Sequence, residues 1–207
     1  MALSALVVQQ SICMTSNVAY RFYPSLLNTY SRFLQGKISE QEVLDRINRV
    51  PIPQTEAQFR GVSFEDAVLK KIGEEQFDPQ ILATVRQKLP SPIIKTQAYC
   101  QYQIADVMIY GFVDVLGRKE AVDLKTTSHY SAERFRQDHQ NFYLPALYFR
   151  GVRQMRYLIT DFVNVYEEIY EASTDFEGQL EELYSFKMFL EEHREQITDA
   201  KIFAKKK

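Results

Sequence analysis

Two aspartates and a lysine at close spacing, Asp114, Asp123 and Lys125, are the residues of this sequence best placed for chemistry. They lie in Gly111-Phe112-Val113-Asp114-Val115-Leu116-Gly117-Arg118-Lys119-Glu120-Ala121-Val122-Asp123-Leu124-Lys125, whose alternating apolar residues predict two strands joined by a turn at Gly117-Arg118. Symmetric reversal about that turn sets Asp114 opposite Ala121, with Asp123 two residues further along and pointing to the same side. Lys125 joins them by the two-residue period of a strand. Val113, Val115, Val122 and Leu124 form the other side, expected to face a core. Paired carboxylates on an otherwise apolar hairpin cost desolvation energy unless something compensates them, and a divalent cation is the natural compensator. Magnesium fits best, because it prefers oxygen, takes one or two carboxylates with waters, and completes its shell with substrate phosphate oxygens. A lysine beside it can hold or deprotonate a water. The competing reading is an exposed hairpin whose Asp123 and Lys125 only solvate one face.

The elements that must position this hairpin follow from periodicity. Pro24, Pro51, Pro53, Pro79, Pro90 and Pro92 punctuate a helical stretch before it. Leu26, Leu27, Tyr30 and Leu34 recur at helical spacing over 25–34, and Ser39-Glu40-Gln41-Glu42 reads as a capping box opening a second helix with Val43, Leu44 and Ile47. A third helix is expected from Gly61 to Gly73 and a fourth from Pro79 to Lys88. From Ile94 the pattern turns to alternation and predicts a three-stranded meander that includes the hairpin. Residues 131–152 read as helix interrupted by Pro145, 155–162 and 165–171 as strands, and 175–197 as a closing amphipathic helix with Leu180, Leu183, Phe186 and Leu190. The sum is an α/β domain, a mixed β-sheet flanked by helices.

Composition narrows the function classes. At 207 residues, 45% hydrophobic and 25% charged, the chain is an ordinary globular one that needs no disulfide or structural metal to stabilise its core. Cys13 and Cys100 are too few and too far apart for a disulfide scaffold, a four-cysteine zinc site or an iron–sulfur cluster. His129, His139 and His193 lack zinc-site spacing, and no Gly-rich phosphate loop announces an ATP motor. A net charge of -2 and a pI near 6.0 argue against nonspecific coating of nucleic acid but leave room for a local basic groove. No apolar run reaches bilayer length and the first residues lack a basic flank, so a cytoplasmic location without membrane contact is expected.

Asp114 followed by Asp123-Leu124-Lys125 resembles the signature of the PD-(D/E)XK nuclease superfamily. Gly111-Phe112-Val113-Asp114 with Val122-Asp123-Leu124-Lys125-Thr126 resembles its RecB-like and lambda-exonuclease-like branch, in which a glycine usually stands three residues before the first acid and Thr or Ser often follows Asp-x-Lys. The resemblance spans about Gly61 to Gly151. It implies a restriction-endonuclease-like core, placed at 61–200; the N-terminal sixty residues and the C-terminal region match no pattern of the family, and the sequence itself gives a helical region at 1–60 within the same domain and a basic tail at 201–207 ending in Lys205-Lys206-Lys207. It further implies a Mg2+-dependent DNA nuclease, with exonuclease action favoured, serving recombination, repair or phage DNA metabolism, and Mn2+ substituting for Mg2+. Asp114 and Asp123 would bind the metal with the Leu124 carbonyl, and Lys125 would activate the attacking water.

The same branch expects an acid on a helix before the sheet. With residues about 100° apart, Phe64, Val68, Leu69 and Ile72 define the buried arc; Glu65 falls inside it, and Asp66 falls outside with Lys70. Glu65 is therefore the candidate, acting through a water or a second metal. The branch also carries Gln-x-x-x-Tyr after the hairpin, and here Gln140 has Leu144 where Tyr is expected, with Tyr143 one residue early. Arg136, Gln140, Tyr143 and Leu147 nevertheless share one helical stripe, which makes Gln140 a positioning candidate and Tyr143 a candidate for DNA contact. Lys70, Lys71, Arg118, Arg134 and Arg136 are the basic residues expected to track a DNA backbone. DNA is the implied partner, with self-assembly or a protein partner compatible with the short chain. Two other classes stand beside this reading: a catalytically silent nucleic-acid-binding module on the same fold, and a structural or partner-binding protein.

Overall fold

The computed structural model describes residues 17–132, 143–148, 150–171 and 176–204. Strand β1 (Tyr20–Phe22) leads into helices α1 (Pro24–Leu34) and α2 (Glu40–Ile47). Pro24 occupies the first turn of α1, where its missing N–H costs nothing, and the Ser39–Glu42 capping box opens α2 as expected. Helix α3 (Glu56–Lys70) starts five residues before the expected Gly61, because Thr55 and Gln58 form a second capping box. It ends one turn early at Lys71, whose left-handed φ of 60° terminates it ahead of Gly73. Helix α4 (Pro79–Gln87) is capped by the Asp78 carboxylate, which accepts from the Gln80 N–H.

The meander follows as β2 (Lys95–Ile104), β3 (Val107–Leu116) and β4 (Glu120–Thr126). Helix α5 (Tyr143–Tyr148), strands β5 (Gln154–Thr160) and β6 (Val165–Glu171), and helix α6 (Phe176–Glu192) complete the chain. The sheet runs β1-β3-β4-β5-β6 with β2 on the other edge of β3. β1 with β3 and β4 with β5 are parallel and the remaining pairs antiparallel, so this is an α/β fold with a mixed central sheet flanked by helices.

β1 is too short and too near Pro24 to show a strand period, and only tertiary pairing creates it. Its partners are Val107 to Ile109 on one side and, through the Tyr20–Phe203 bridge, the chain's last described residues on the other. Ile202 is consequently buried, so the stretch expected as a tail from position 201 begins with an anchor.

Three apolar clusters hold the layers together. The first joins α1, α2 and α6 to β1 and the start of β3 through Phe22, Leu27, Tyr30, Ile109, Phe186 and Leu190. The second packs Tyr143 and Leu147 of α5 on Ala98, Val113, Ala121 and Tyr157. The third packs Phe64, Ala67 and Val68 of α3, with Leu82 and Val85 of α4, on Val115, Val122 and Leu158. A fully buried side chain of this kind contributes about 1.5–3 kcal/mol, which fixes α3 against the sheet more firmly than its helix propensity could. No described helix is long and apolar enough to cross a membrane.

Candidate active site

The β3–β4 hairpin turns one residue later than the symmetric expectation. Val115 pairs with Val122 and Leu116 with Ala121, and the Gly117 N–H donates to the Glu120 carbonyl at 2.9 Å. Asp114 thus falls opposite Asp123 and not Ala121. The register differs by two, and an even shift leaves every side chain on its own face, so the sidedness expected for Asp114, Asp123 and Lys125 survives.

The ladder stops at Val115–Val122. Its next hydrogen-bonded pair would unite Val113 with Leu124, but the Leu124 N–H donates instead to the Asp114 carboxylate Oδ2 at 2.8 Å. Alternation also breaks here. Val115 packs under α3, whereas Val113, two residues away, packs under α5, contrary to the common core face expected for the two valines. The break falls at Asp114, beside Gln97 of β2, which holds a left-handed φ of 47°. Where the strands part, the Asp114 carboxylate fills the opening.

Around it the charges converge. Gln97 spans two elements, donating through Nε2 to Glu65 Oε1 at 2.6 Å and to Asp114 Oδ1 at 3.0 Å. Glu65 is half-buried on α3, next to the apolar face that packs on the sheet. Asp123 is buried at 4% exposure and its Oδ2 meets the Lys125 ammonium in an ion pair. That contact lacks the alignment of a hydrogen bond, and Oδ2 accepts from no other described group. Burial, then the Asp123 charge, drive the Asp114 carboxyl up to about 8 against the opposing pull of Lys125 and the Leu124 N–H. Glu65 is likewise raised, first by burial and then by Asp123, with Gln97 opposing.

Two glycines let the walls close. A Cβ on Gly61 would stand 3.0 Å from Thr126 Oγ1, so the bare backbone lets α3 approach the end of β4. A Cβ on Gly111 would fall 2.2 Å from the Tyr143 hydroxyl, and that hydroxyl accepts the backbone N–H of Phe112. Glu65, Leu124, Lys125 and Thr126, with Arg46, Ile52 and Gln54, line a cleft of about 580 Å3.

The expected residues divide accordingly. Glu65, Asp114, Asp123 and Lys125 come together, with Leu124 between the last two. Tyr143 does not offer itself to DNA, because its ring is buried against Gly111 in the α5 cluster and burial raises its phenol further. Lys70, paired with Asp66 at 2.7 Å, and Lys71 are exposed at the far end of α3, and Arg118 is exposed on the hairpin turn; none of these lines the cleft. Gln140, Arg134 and Arg136 lie outside the described residues, as do Cys13, His139 and the terminal lysines. Cys100 is buried with its thiol pushed up to about 12, and His193 hydrogen-bonds the Phe189 carbonyl and meets Glu40.

Sequence reasoning missed Gln97 and Arg46. Nothing local marks Gln97, since glutamine in a strand gives no sign of a left-handed backbone. Arg46 on α2 reaches the cleft only through tertiary packing.

Among the described residues no three Asp, Glu, His or Cys side chains stand close enough to chelate a metal by themselves. The donor set fits a cation of another habit. Magnesium binds through one or two carboxylates and retains its waters. Asp123 Oδ2, buried and met by the Lys125 ammonium, stands beside a carboxyl of raised proton affinity, and the Gln97 amide is already drawn between Glu65 and Asp114, so the place attracts positive charge.

Neither a protein-family model nor a curated protein matches the sequence. Among solved structures the chain is similar to SSO0001, at 12% identity and TM-score 0.49 over 90% of this chain and 84% of that one. It is similar also to a Eubacterium rectale protein provisionally named an exonuclease, at 12% identity and TM-score 0.47 over 89% and 83%. Scheffersomyces stipitis Rai1 gives 11% identity and TM-score 0.32 over 92% and 66%. Likenesses of this size concern the course of the backbone, and the chemistry rests on the residues themselves.

Proposed function

We propose that this protein is a Mg2+-dependent DNA nuclease of the PD-(D/E)XK kind, hydrolysing phosphodiester bonds as an exonuclease. The observation that carries the reading is the gathering of Asp114 and Asp123 beside Lys125 where β3 and β4 part, with Glu65 tied to Asp114 through the Gln97 amide and with Glu65 and Lys125 lining an open cleft. A phosphodiester is an anion, and three carboxylates alone would repel it. Magnesium held by Asp114 and Asp123, with the Leu124 carbonyl, would supply the Lewis acid that neutralises charge on the phosphate.

The chain's own residues have separate tasks. The Leu124 N–H fixes the Asp114 carboxylate, so that its remaining oxygen keeps one direction. Lys125, held by Asp123, donates to the attacking water and keeps it beside the carboxylates. Glu65, bridged to Asp114 by the Gln97 amide, accepts a proton from a bound water. Arg46, in the lining of the same cleft, offers a cation for a phosphate next to the scissile bond.

The test incubates end-labelled linear DNA and closed circular DNA with Mg2+, Mn2+ or EDTA, for the wild type, Lys125→Ala and Asp114→Ala. Metal-dependent loss of linear DNA alone, abolished by either substitution, is expected. Cutting of the circle would make the protein an endonuclease with the same site. DNA binding without cleavage by the folded wild type would overturn the catalytic reading in favour of a silent binding module.

A further inference from the structure

One row of side chains leads away from the carboxylates along β2 and β3. It starts at Gln97, whose amide binds the Asp114 carboxyl where alternation breaks. The next register pair is Phe112 with Tyr99, and the one after that is Tyr110 with Gln101. Phe112 and Tyr99 are 53% and 41% exposed, an unusual outlay of aromatic surface on a sheet face. Their rings meet edge to face at 5.4 Å between centroids, and the Tyr99 hydroxyl donates to Gln101 Oε1 at 2.9 Å. Both rings are therefore held in place before any partner arrives. Gly111 and Val113 face α5, which puts Phe112 on the opposite face of the sheet from that helix.

Cations flank the row. Arg49, ion-paired with Asp199 at 2.6 Å, lies 5.7 Å over the Tyr23 ring and reaches the Tyr110 hydroxyl at 3.5 Å, while the exposed Arg150 donates to the Tyr99 carbonyl at 3.4 Å. Pre-set aromatic faces flanked by guanidinium groups suit a polyanion that carries flat bases.

We propose that Tyr99 and Phe112, with Tyr110 one step on, form a base-stacking platform for single-stranded DNA that delivers a strand to the carboxylates. The link to the carboxylates rests on the nuclease reading; the platform itself rests on the rings and their register. Spacing selects the single strand. Successive steps of the row are about 6.8 Å apart, two residues of strand rise, whereas bases in a duplex follow one another at about 3.4 Å. Bases seated on successive steps must be unstacked from each other, which a paired helix forbids.

Fluorescence anisotropy in EDTA, where no cleavage occurs, compares dye-labelled oligothymidine with a blunt duplex of equal length. Phe112→Ala and Tyr99→Ala are each expected to weaken oligothymidine binding by about 5- to 150-fold, the loss of one stacked base, and to leave duplex binding unchanged. The chain has no tryptophan, so Phe112→Trp adds a sole reporter that keeps an aromatic face. Its emission is expected to be quenched by oligothymidine at the concentrations that saturate the anisotropy. Unchanged oligothymidine affinity in both alanine variants, or emission of Phe112→Trp that only duplex quenches, would overturn the platform. Quenching by oligothymidine in a protein that cuts nothing with Mg2+ would leave the platform standing and remove the nuclease reading. Cleavage of single strands at wild-type rate by Phe112→Ala, with its binding unaltered, would do the reverse.

Discussion

The carboxylate of Asp114 takes the backbone N–H of Leu124 at 2.8 Å, standing in for the strand carbonyl that the β3–β4 ladder would have supplied. A side chain that substitutes for backbone cannot move without opening the sheet, and this holds the Asp114 carboxyl, with any charge it carries, in one buried place.

The charge predicts a pH dependence. The folded-state carboxyl is raised to about 8 from an ordinary value near 3.8, so its contribution to stability is fully present below about 3.8 and lost as pH rises toward 8. Asp114→Asn keeps an acceptor for Leu124 and removes the charge. In EDTA at pH 8 its Tm should exceed that of the wild type, at about 2–4 °C for each kcal/mol relieved, and the difference should shrink toward pH 5. Calorimetry at the two pH values measures this, and a lower Tm for the variant at pH 8 would refute it.

Gly111 carries a steric prediction. Its missing Cβ leaves the space taken by the Tyr143 hydroxyl, and Tyr143 is locked in the α5 cluster with little room to retreat. Gly111→Ala should therefore cost about 1–3 kcal/mol, the usual penalty of overpacking. Tyr143→Phe in that background removes the nearest atom and should recover part of the loss, seen as non-additivity in a denaturant double-mutant cycle. Additive costs would mean that the ring steps aside.

Gln97 predicts the site's response to cations. Its amide donates to both Glu65 and Asp114, so Gln97→Glu replaces two donated hydrogen bonds with a further like charge. In EDTA the variant should lose about 1–3 kcal/mol of stability. Saturating Mn2+ should restore most of it, because a bound cation stabilises the folded state by mass action. Thermal shifts with and without Mn2+ decide, and a variant as stable as the wild type in EDTA would show that Gln97 does not hold the two acids together.

Local chemistry was enough to announce much of this protein. The period of two across 111–125 put Asp114, Asp123 and Lys125 on one side, and the helical arc of α3 chose Glu65 over Asp66, because both inferences depend only on the angle between neighbouring residues. The capping box at Ser39 marked α2 for the same reason. What depends on distant chain was hidden. The three residues of β1 are a strand only because β3 and the chain's end lie on either side of them. The left-handed Gln97, the parting of β3 from β4 at Asp114, and the burial of Tyr143 against Gly111 each arise where elements far apart in sequence compete for one space. Periodicity reports which way a side chain points; what it meets there is decided by packing, and packing belongs to the whole chain.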